Sequence, residues 1–375
     1  MIRRRRGDCP AAARVLRGAA TVIVGLGLGG CTSAQPLLDS AGPVADSIAQ
    51  LGVLGLIVTS VVALLVFAML LYPVLRAWQG RDEPLALPTR PITFVLLSGV
   101  AFPMAVLALL YGLTLPTLAS TMTPPATPAL RVEVTGHQWW WEVRYLTADG
   151  AFLFVTANEI HIPAGVPVRF DVRTADVIHS FWVPRLGRKI DLIPGRVNSI
   201  WLQADEPGTY TGQCAEYCGQ QHAHMGLLVV AEGAAAFEAW LEHQRAPGAP
   251  PADTLAARGR DLFVAGPCAL CHTVRGTPAR GKVGPDLTHV GSRRRIAAGM
   301  LENTRGNLAG WIVDAQHIKP GVRMPSYNMF RGSDLRALAA YLESLEEERA
   351  TWRPGRKRQD GRCGGWRRSG AGHRD

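Results

Sequence analysis

Two uncharged stretches, residues 51–71 and 92–115, constrain this chain more than anything else in it. Each is long enough to cross a hydrocarbon core of ~30 Å as a helix rising ~1.5 Å per residue. A two-helix transmembrane hairpin is therefore predicted over residues 45–117. The loop between the stretches carries Arg76, Arg81 and Arg90, whereas residues 32–50 and 117–130 contain no Lys or Arg. That asymmetry puts the loop on the cytoplasmic side and both flanks outside. Pro103 interrupts the second stretch, which is tolerable where neighbouring helices or waters satisfy the freed carbonyl. Two buried core helices of a soluble protein are the alternative reading.

Residues 1–30 read as a signal peptide of the lipoprotein type. Arg3, Arg4, Arg5 and Arg6 open a basic region, and a short apolar run follows at residues 19–29. Leu28-Gly29-Gly30-Cys31 has the form of a lipobox, whose cleavage would leave Cys31 as a lipidated N-terminus. An unprocessed leader or a misassigned start is the alternative, and export follows in either case. The net charge of +10 invites a nucleic-acid reading, but its distribution removes it. Residues 1–17 contribute +5 and residues 349–375 contribute +7, which leaves −2 for everything between. The basic charge belongs to a leader and to a tail at 349–375 that reads as disordered, not to a folded surface for phosphates.

At 375 residues the chain has room for two or three domains of ~150 residues. After the Pro-rich residues 123–128 the composition changes. Residues 131–145 and 151–155 are rich in Val, Trp, Tyr and Phe, and Gly/Pro punctuation recurs up to Pro207-Gly208. Short strands at such spacing predict a β-sandwich or barrel ending near Glu232, followed by a short amphipathic helix at 235–243. A domain over residues 128–245 is thus separated by a Pro/Gly linker at 246–252 from a helical domain at 253–348. Helices are predicted there at residues 255–264 and around Leu335, Leu338, Ala339 and Leu342, with Ser333 as an N-cap.

Of the seven cysteines, Cys9, Cys31 and Cys363 lie in the leader region and tail, and four form two close pairs. The first pair sits in Gly212-Gln213-Cys214-Ala215-Glu216-Tyr217-Cys218-Gly219-Gln220-Gln221-His222-Ala223-His224-Met225. Soft thiolates, an imidazole and a thioether in one short loop suit copper, and two thiolates can bridge two metal ions. Each copper wants a nitrogen ligand, and the loop offers His222 for only one. His179, in Asp176-Val177-Ile178-His179-Ser180-Phe181-Trp182-Val183-Pro184, is the candidate for the other. A structural Cys214–Cys218 disulfide is the competing interpretation.

With Gly136-His137-Gln138-Trp139-Trp140-Trp141 and Ile193-Pro194-Gly195-Arg196, these segments resemble the subunit II family of haem–copper oxidases, with its dinuclear copper A centre on a cupredoxin-like barrel. The resemblance covers roughly residues 45–232. It implies His179, Cys214, Cys218, His222 and Met225 as side-chain ligands and the backbone carbonyl of Glu216 as the remaining one. It also implies a magnesium ion held through the Glu216 carboxylate at the subunit I interface, and Trp139 as the aromatic where electrons enter. Three adjacent tryptophans that simply cap the barrel are the alternative for Trp139. His224 is left out, since its side chain should point away from neighbours that are ligands.

The second pair, in Cys268-Ala269-Leu270-Cys271-His272, is the c-type haem attachment signature. Two thiols can form thioethers to haem vinyls, and His272 becomes the proximal iron ligand. A redox pair or half a zinc site is the alternative. Gly284-Pro285-Asp286-Leu287 follows, and Gly259 in the first helix allows close crossing against Tyr341 in the last. Residues 253–348 resemble a small class I cytochrome c, which implies Met324, in Val322-Arg323-Met324-Pro325, as the second iron ligand. Met329 and Met300 compete with it.

The full order is therefore a transmembrane hairpin, an all-β cupredoxin-like barrel and an all-α class I cytochrome c domain. It resembles subunit II of caa3-type cytochrome c oxidases. That implies an electron-transfer subunit of a proton-translocating respiratory enzyme in a bacterial inner membrane, with both redox domains on the periplasmic or outer side. Electrons would come from soluble cytochrome c, and oxygen would be reduced in a separate haem–copper subunit. The copper A subunit of a nitric oxide reductase, a copper-free quinol oxidase subunit and a periplasmic copper-delivery protein are the rivals. In one respect the chain departs from the family: residues 92–102 contain neither the Glu nor the Trp that many relatives carry there. Residues 130–245 sum to −4 and residues 253–348 to +3, signs that favour docking of the two domains.

Overall fold

The computed structural model describes residue 36, residues 38–80 and residues 90–346. The leader with its lipobox, Arg81 of the cationic loop, and the basic tail lie outside the described residues.

Both apolar stretches are helical and run beyond the expected spans, as α1 (Pro43–Trp78) and α2 (Pro91–Met122), which contain 18-residue stretches of mean hydropathy 2.8 and 2.3. Large apolar side chains along them, such as Leu64, Phe67 and Leu107, stand exposed. A continuous uncovered apolar surface suits a bilayer and is unfavourable in water. The hydrogen-bond ladder of α2 widens into a π turn over Leu97–Ala101. That turn lies immediately ahead of Pro103, whose ring would otherwise clash with the Gly99 carbonyl. The root of α1 is tied to the β domain. Val44 and Ala45 are buried, the Ala41 N–H donates to the Arg185 carbonyl at 2.8 Å, and the Ala41 carbonyl accepts from Asp205 at 3.0 Å.

Ten strands follow: β1 (Leu130–His137), β2 (Trp140–Thr147), β3 (Phe152–Ala157), β4 (Glu159–Pro163), β5 (Val168–Thr174), β6 (His179–Trp182), β7 (Ile190–Leu192), β8 (Asn198–Leu202), β9 (Gly208–Cys214) and β10 (Gly226–Glu232). They form two five-stranded sheets, ordered β3-β2-β1-β5-β8 and β4-β10-β9-β6-β7. Burial alternates residue by residue along β1, the period of a strand with one face on a core. Trp141, Tyr145, Phe154, Phe170 and Phe181 fill that core, each contributing roughly 1.5–3 kcal/mol by burial.

β4 breaks the alternation: Glu159, Ile160, His161 and Ile162 are all buried. Its outer face is covered by α3 (Ala234–Arg245), whose Trp240 stacks on His161 with ring centroids 4.2 Å apart and planes 6° apart. The two ring nitrogens of His161 lie 3.1 Å from Glu159 and 3.2 Å from Glu232. Burial opposes the charged imidazole, but the paired carboxylates outweigh it and hold its pKa up at about 9. A histidine raised on folding stabilises fully below its unfolded pKa of about 6.5 and loses that contribution as pH climbs through the folded value. The thermal midpoint of the wild-type β domain should therefore decline between pH 7 and 9.5, with a flatter profile for His161→Gln. Superimposable pH profiles would show that the cluster carries no such linkage.

Beyond the irregular residues 246–253 come α4 (Thr254–Ala265), α5 (Cys268–Cys271), α6 (Arg305–Val313), α7 (Ala315–Ile318) and α8 (Gly332–Ser344). A two-residue hairpin, β11 (Arg295–Ile296) with β12 (Leu301–Glu302), is added to the helices. The Asp253 carboxylate accepts from the Ala256 N–H at 2.7 Å and caps α4. Ser333 is not the N-cap of α8: Arg331 holds that place, and Ser333 lies inside the first turn. Asp334 serves the helix start instead, as an acidic residue near the positive end of the dipole that also pairs with Arg258. α4 and α8 cross at Gly259, where a Cβ would lie 2.0 Å from the Ala337 oxygen and 2.8 Å from the Tyr341 Cβ. Gly259→Ala should cost about 1–3 kcal/mol or more by overpacking, read as a melting temperature of the haem domain lower by several degrees.

Candidate metal centre and haem cavity

The ends of three strands converge on the first cysteine pair. His179 opens β6, Cys214 closes β9, and Met225 immediately precedes β10, while Cys218 and His222 lie in the loop between β9 and β10. The two Sγ atoms are 3.7 Å apart, well beyond the ~2.05 Å of a disulfide, and both cysteines are free and buried. Cys214 Sγ lies 3.9 Å from His179 Nδ1 and 3.1 Å from the Glu216 carbonyl oxygen. Cys218 Sγ lies 3.7 Å from His222 Nδ1 and 3.8 Å from Met225 Sδ. The other four donors of the expected set thus gather around the two sulfurs, and the six together make a soft donor set that fits copper. Among the described residues, His179, Cys214 and Cys218 are the group of three or more metal-type side chains.

The electrostatics favour a cation here. The hydrogen bond between the two sulfurs is the largest influence on both thiols, pulling Cys214 well down and pushing Cys218 well up. A metal that engaged both sulfurs would expel the Cys218 proton. The Asp176 carboxylate was not singled out as a partner of the site from the sequence. It accepts from His179 Nε2 at 2.8 Å and from the Gln138 N–H at 2.8 Å. That fixes the His179 tautomer and aims Nδ1 at Cys214. The His224 side chain turns aside to Gln221 at 2.7 Å. The Glu216 carboxylate is half-exposed and 3.9 Å from Lys189.

Trp139 is 8% exposed, and its indole N–H donates to the Cys218 carbonyl at 3.0 Å. The Gln138 side-chain amide donates to the same oxygen at 2.9 Å. Both residues also form a wall of the cavity that holds the second cysteine pair.

That cavity is lined by Cys268, Cys271, His272 and Met324 together with Phe263, Leu308, Ile312 and Leu342. His272 Nδ1 donates to the Pro285 carbonyl at 2.8 Å, leaving Nε2 free as an iron ligand. Burial lowers the His272 pKa, which keeps the ring neutral for ligation. Gly284 makes room for this imidazole, since a Cβ there would lie 2.6 Å from His272 Cε1. Met329 is 72% exposed, and Met300 lines a separate groove beside Thr209 and His224. Two thiols, an oriented imidazole and a thioether around an apolar cavity fit a covalently attached haem.

Residues 146–232 match the family described as cytochrome c oxidase subunit II, periplasmic domain, and residues 256–346 match the cytochrome c family. A cytochrome c oxidase subunit 2 from Alkalihalophilus pseudofirmus is 37% identical over 331 residues, spanning 85% of this chain and 94% of that protein. One from Bacillus subtilis is 30% identical over 349 residues, spanning 87% and 96%. The solved periplasmic domain of subunit II of cytochrome oxidase from Bradyrhizobium japonicum is 36% identical, with a TM-score of 0.30, covering 33% of this chain and 97% of that one. The chain belongs to the cytochrome c oxidase subunit 2 family and carries a cytochrome c domain on the same polypeptide.

Proposed function

We propose that this chain is the electron-entry subunit of a respiratory terminal oxidase. Bound in the two sites, haem c and a dinuclear copper A pair supply one-electron carriers, relaying electrons from soluble cytochrome c to a separate haem–copper subunit that reduces oxygen to water. Cys268 and Cys271 anchor the haem, and His272 and Met324 hold its iron. His179, Cys214, Cys218, His222, Met225 and the Glu216 carbonyl hold copper, while the Glu216 carboxylate reaches a magnesium ion at the junction with subunit I. Trp139 stands between the two sites. The hairpin anchors the chain in a bacterial inner membrane with both domains on the outer side, and the linker at 246–252 divides them. The assembled enzyme is a proton-translocating oxidoreductase.

The observation that carries this reading is the shared wall: Trp139 lines the haem cavity and at the same time bonds the backbone of Cys218. A wall of that kind gives two one-electron sites a short route through protein. Metal analysis of the purified assembly should find, per chain, one covalent haem and two coppers beyond the copper of the haem–copper subunit. Anaerobic mixing with reduced soluble cytochrome c should then reduce both centres of this chain. Binding of copper without covalent haem would instead favour a copper-delivery protein.

A further inference from the structure

Lys319 is 1% exposed, an unusual place for a lysine. Its Nζ donates to the carbonyls of Trp139 at 2.9 Å, His224 at 2.7 Å and Ala297 at 3.1 Å. A buried ammonium is costly unless each N–H meets an acceptor, and here three donors meet three carbonyls. Burial pulls the Lys319 pKa down to about 7. Three acceptors match the three N–H donors of an ammonium, whereas a neutral amine has two. Trp139 and His224 belong to the β domain and Ala297 to the haem domain, so this one side chain bridges both.

The residues after Lys319 continue the contact. The Pro320 carbonyl accepts from the Gln221 amide at 2.8 Å. Gly321 packs against Trp139 and Gln220: a Cβ there would lie in ordinary contact, 3.5 Å, with two atoms of the indole six-membered ring and 3.1 Å from Gln220 Oε1. Val322 packs on the β-domain core. Two residues further on, Met324 lines the haem cavity. A single short segment therefore touches the metal-site loop at one end and supplies the candidate iron ligand at the other.

We propose that Lys319 is a positioning residue for electron transfer between the two sites, locking the Met324 loop onto Trp139 and the loop from Cys218 to Met225. This rests on the haem and copper reading above. In the transfer one electron leaves ferrous haem, which becomes ferric, and the copper pair is reduced by one electron; no proton moves.

The test uses the full chain in the assembled oxidase. Lys319→Met keeps the length of the side chain and removes all three donors. The absorption spectra and potentials of both centres should persist, while the rate of haem-to-copper electron redistribution after rapid haem reduction falls about tenfold or more, as small displacements of reacting groups can cause. Lys319→Gln, which keeps two N–H donors, should recover part of the rate. A wild-type rate in Lys319→Met overturns the proposal. Should that variant fail to assemble, amine acylation of the wild-type complex decides: Lys319 should stay unmodified while exposed Lys282 reacts, and equal reactivity of the two overturns the lock. A wild-type complex with both centres loaded and no transfer between them would refute the underlying relay itself.

Discussion

Cys218→Ser is expected to leave this chain with at most one copper and without the spectrum of a mixed-valence pair. Cys218 Sγ is the hub of the cluster, within 3.7–3.8 Å of Cys214 Sγ, His222 Nδ1 and Met225 Sδ. A serine oxygen is a hard donor and a poor bridge, whereas copper prefers thiolate. With the bridge gone, His222 and Met225 lose the sulfur around which they are arranged. The buried hydroxyl adds a stability cost of about 1–3 kcal/mol if it finds no partner. Haem attachment through Cys268 and Cys271 should be untouched, so covalent haem serves as the internal standard for assembly. Copper per haem and the low-temperature electron paramagnetic resonance spectrum measure the outcome. Two coppers per covalent haem beyond the copper of the haem–copper subunit, with an unaltered spectrum, would rule out a sulfur-bridged pair.

Much of this architecture is legible in the sequence because its signals are local. Two uncharged stretches read as helices wherever they sit, and the spacing from Cys214 to Met225 places five potential donors in one loop whatever surrounds it. The pairing of Gly259 with Tyr341 also follows from helical pattern and size. Features that depend on how distant segments meet are less visible. Glu159 and His161 alternate with Ile160 and Ile162, which reads as a strand with a wet outer face. They are buried because α3 and the backbone of Arg294, whose N–H donates to Glu159 at 2.9 Å, cover them. Asp176, three residues before His179, carried a usable signal, since metal-binding histidines commonly donate their second nitrogen to a carboxylate. Lys319 carried none: a lysine before Pro-Gly reads as a surface turn, and only the apposition of two domains buries it.

The interface also explains why opposite domain charges are an incomplete account of docking. Cations of the haem domain do point across, but to oxygens of neutral groups: Lys319 to two carbonyls of the β domain, Arg293 to the Thr156 hydroxyl, and Arg275 to the Gln244 carbonyl. Such bonds are directional, and several are buried from counter-ions, so they fix orientation where net charge only promotes encounter. Orientation is what a relay between two fixed sites requires.

Met324→His is expected to keep covalent haem and lower its potential. Attachment depends on Cys268 and Cys271, and proximal ligation on His272, whose Nδ1 is held by Pro285; none of these changes. A nitrogen ligand in place of the thioether stabilises ferric iron. The drop should be on the order of 100 mV, within the ~0.8 V over which axial ligands set haem potentials. For one electron, ~60 mV corresponds to ~1.4 kcal/mol, so transfer onward to copper becomes more downhill while reduction of the haem by soluble cytochrome c becomes harder. Turnover with soluble cytochrome c should slow, whereas a small reductant that reaches the copper directly should sustain near-normal activity. Met329, 72% exposed, gives the control: Met329→His should leave the potential where it was. A redox titration in which Met329→His lowers the potential and Met324→His does not would move the iron ligand from the partly buried methionine to the exposed one.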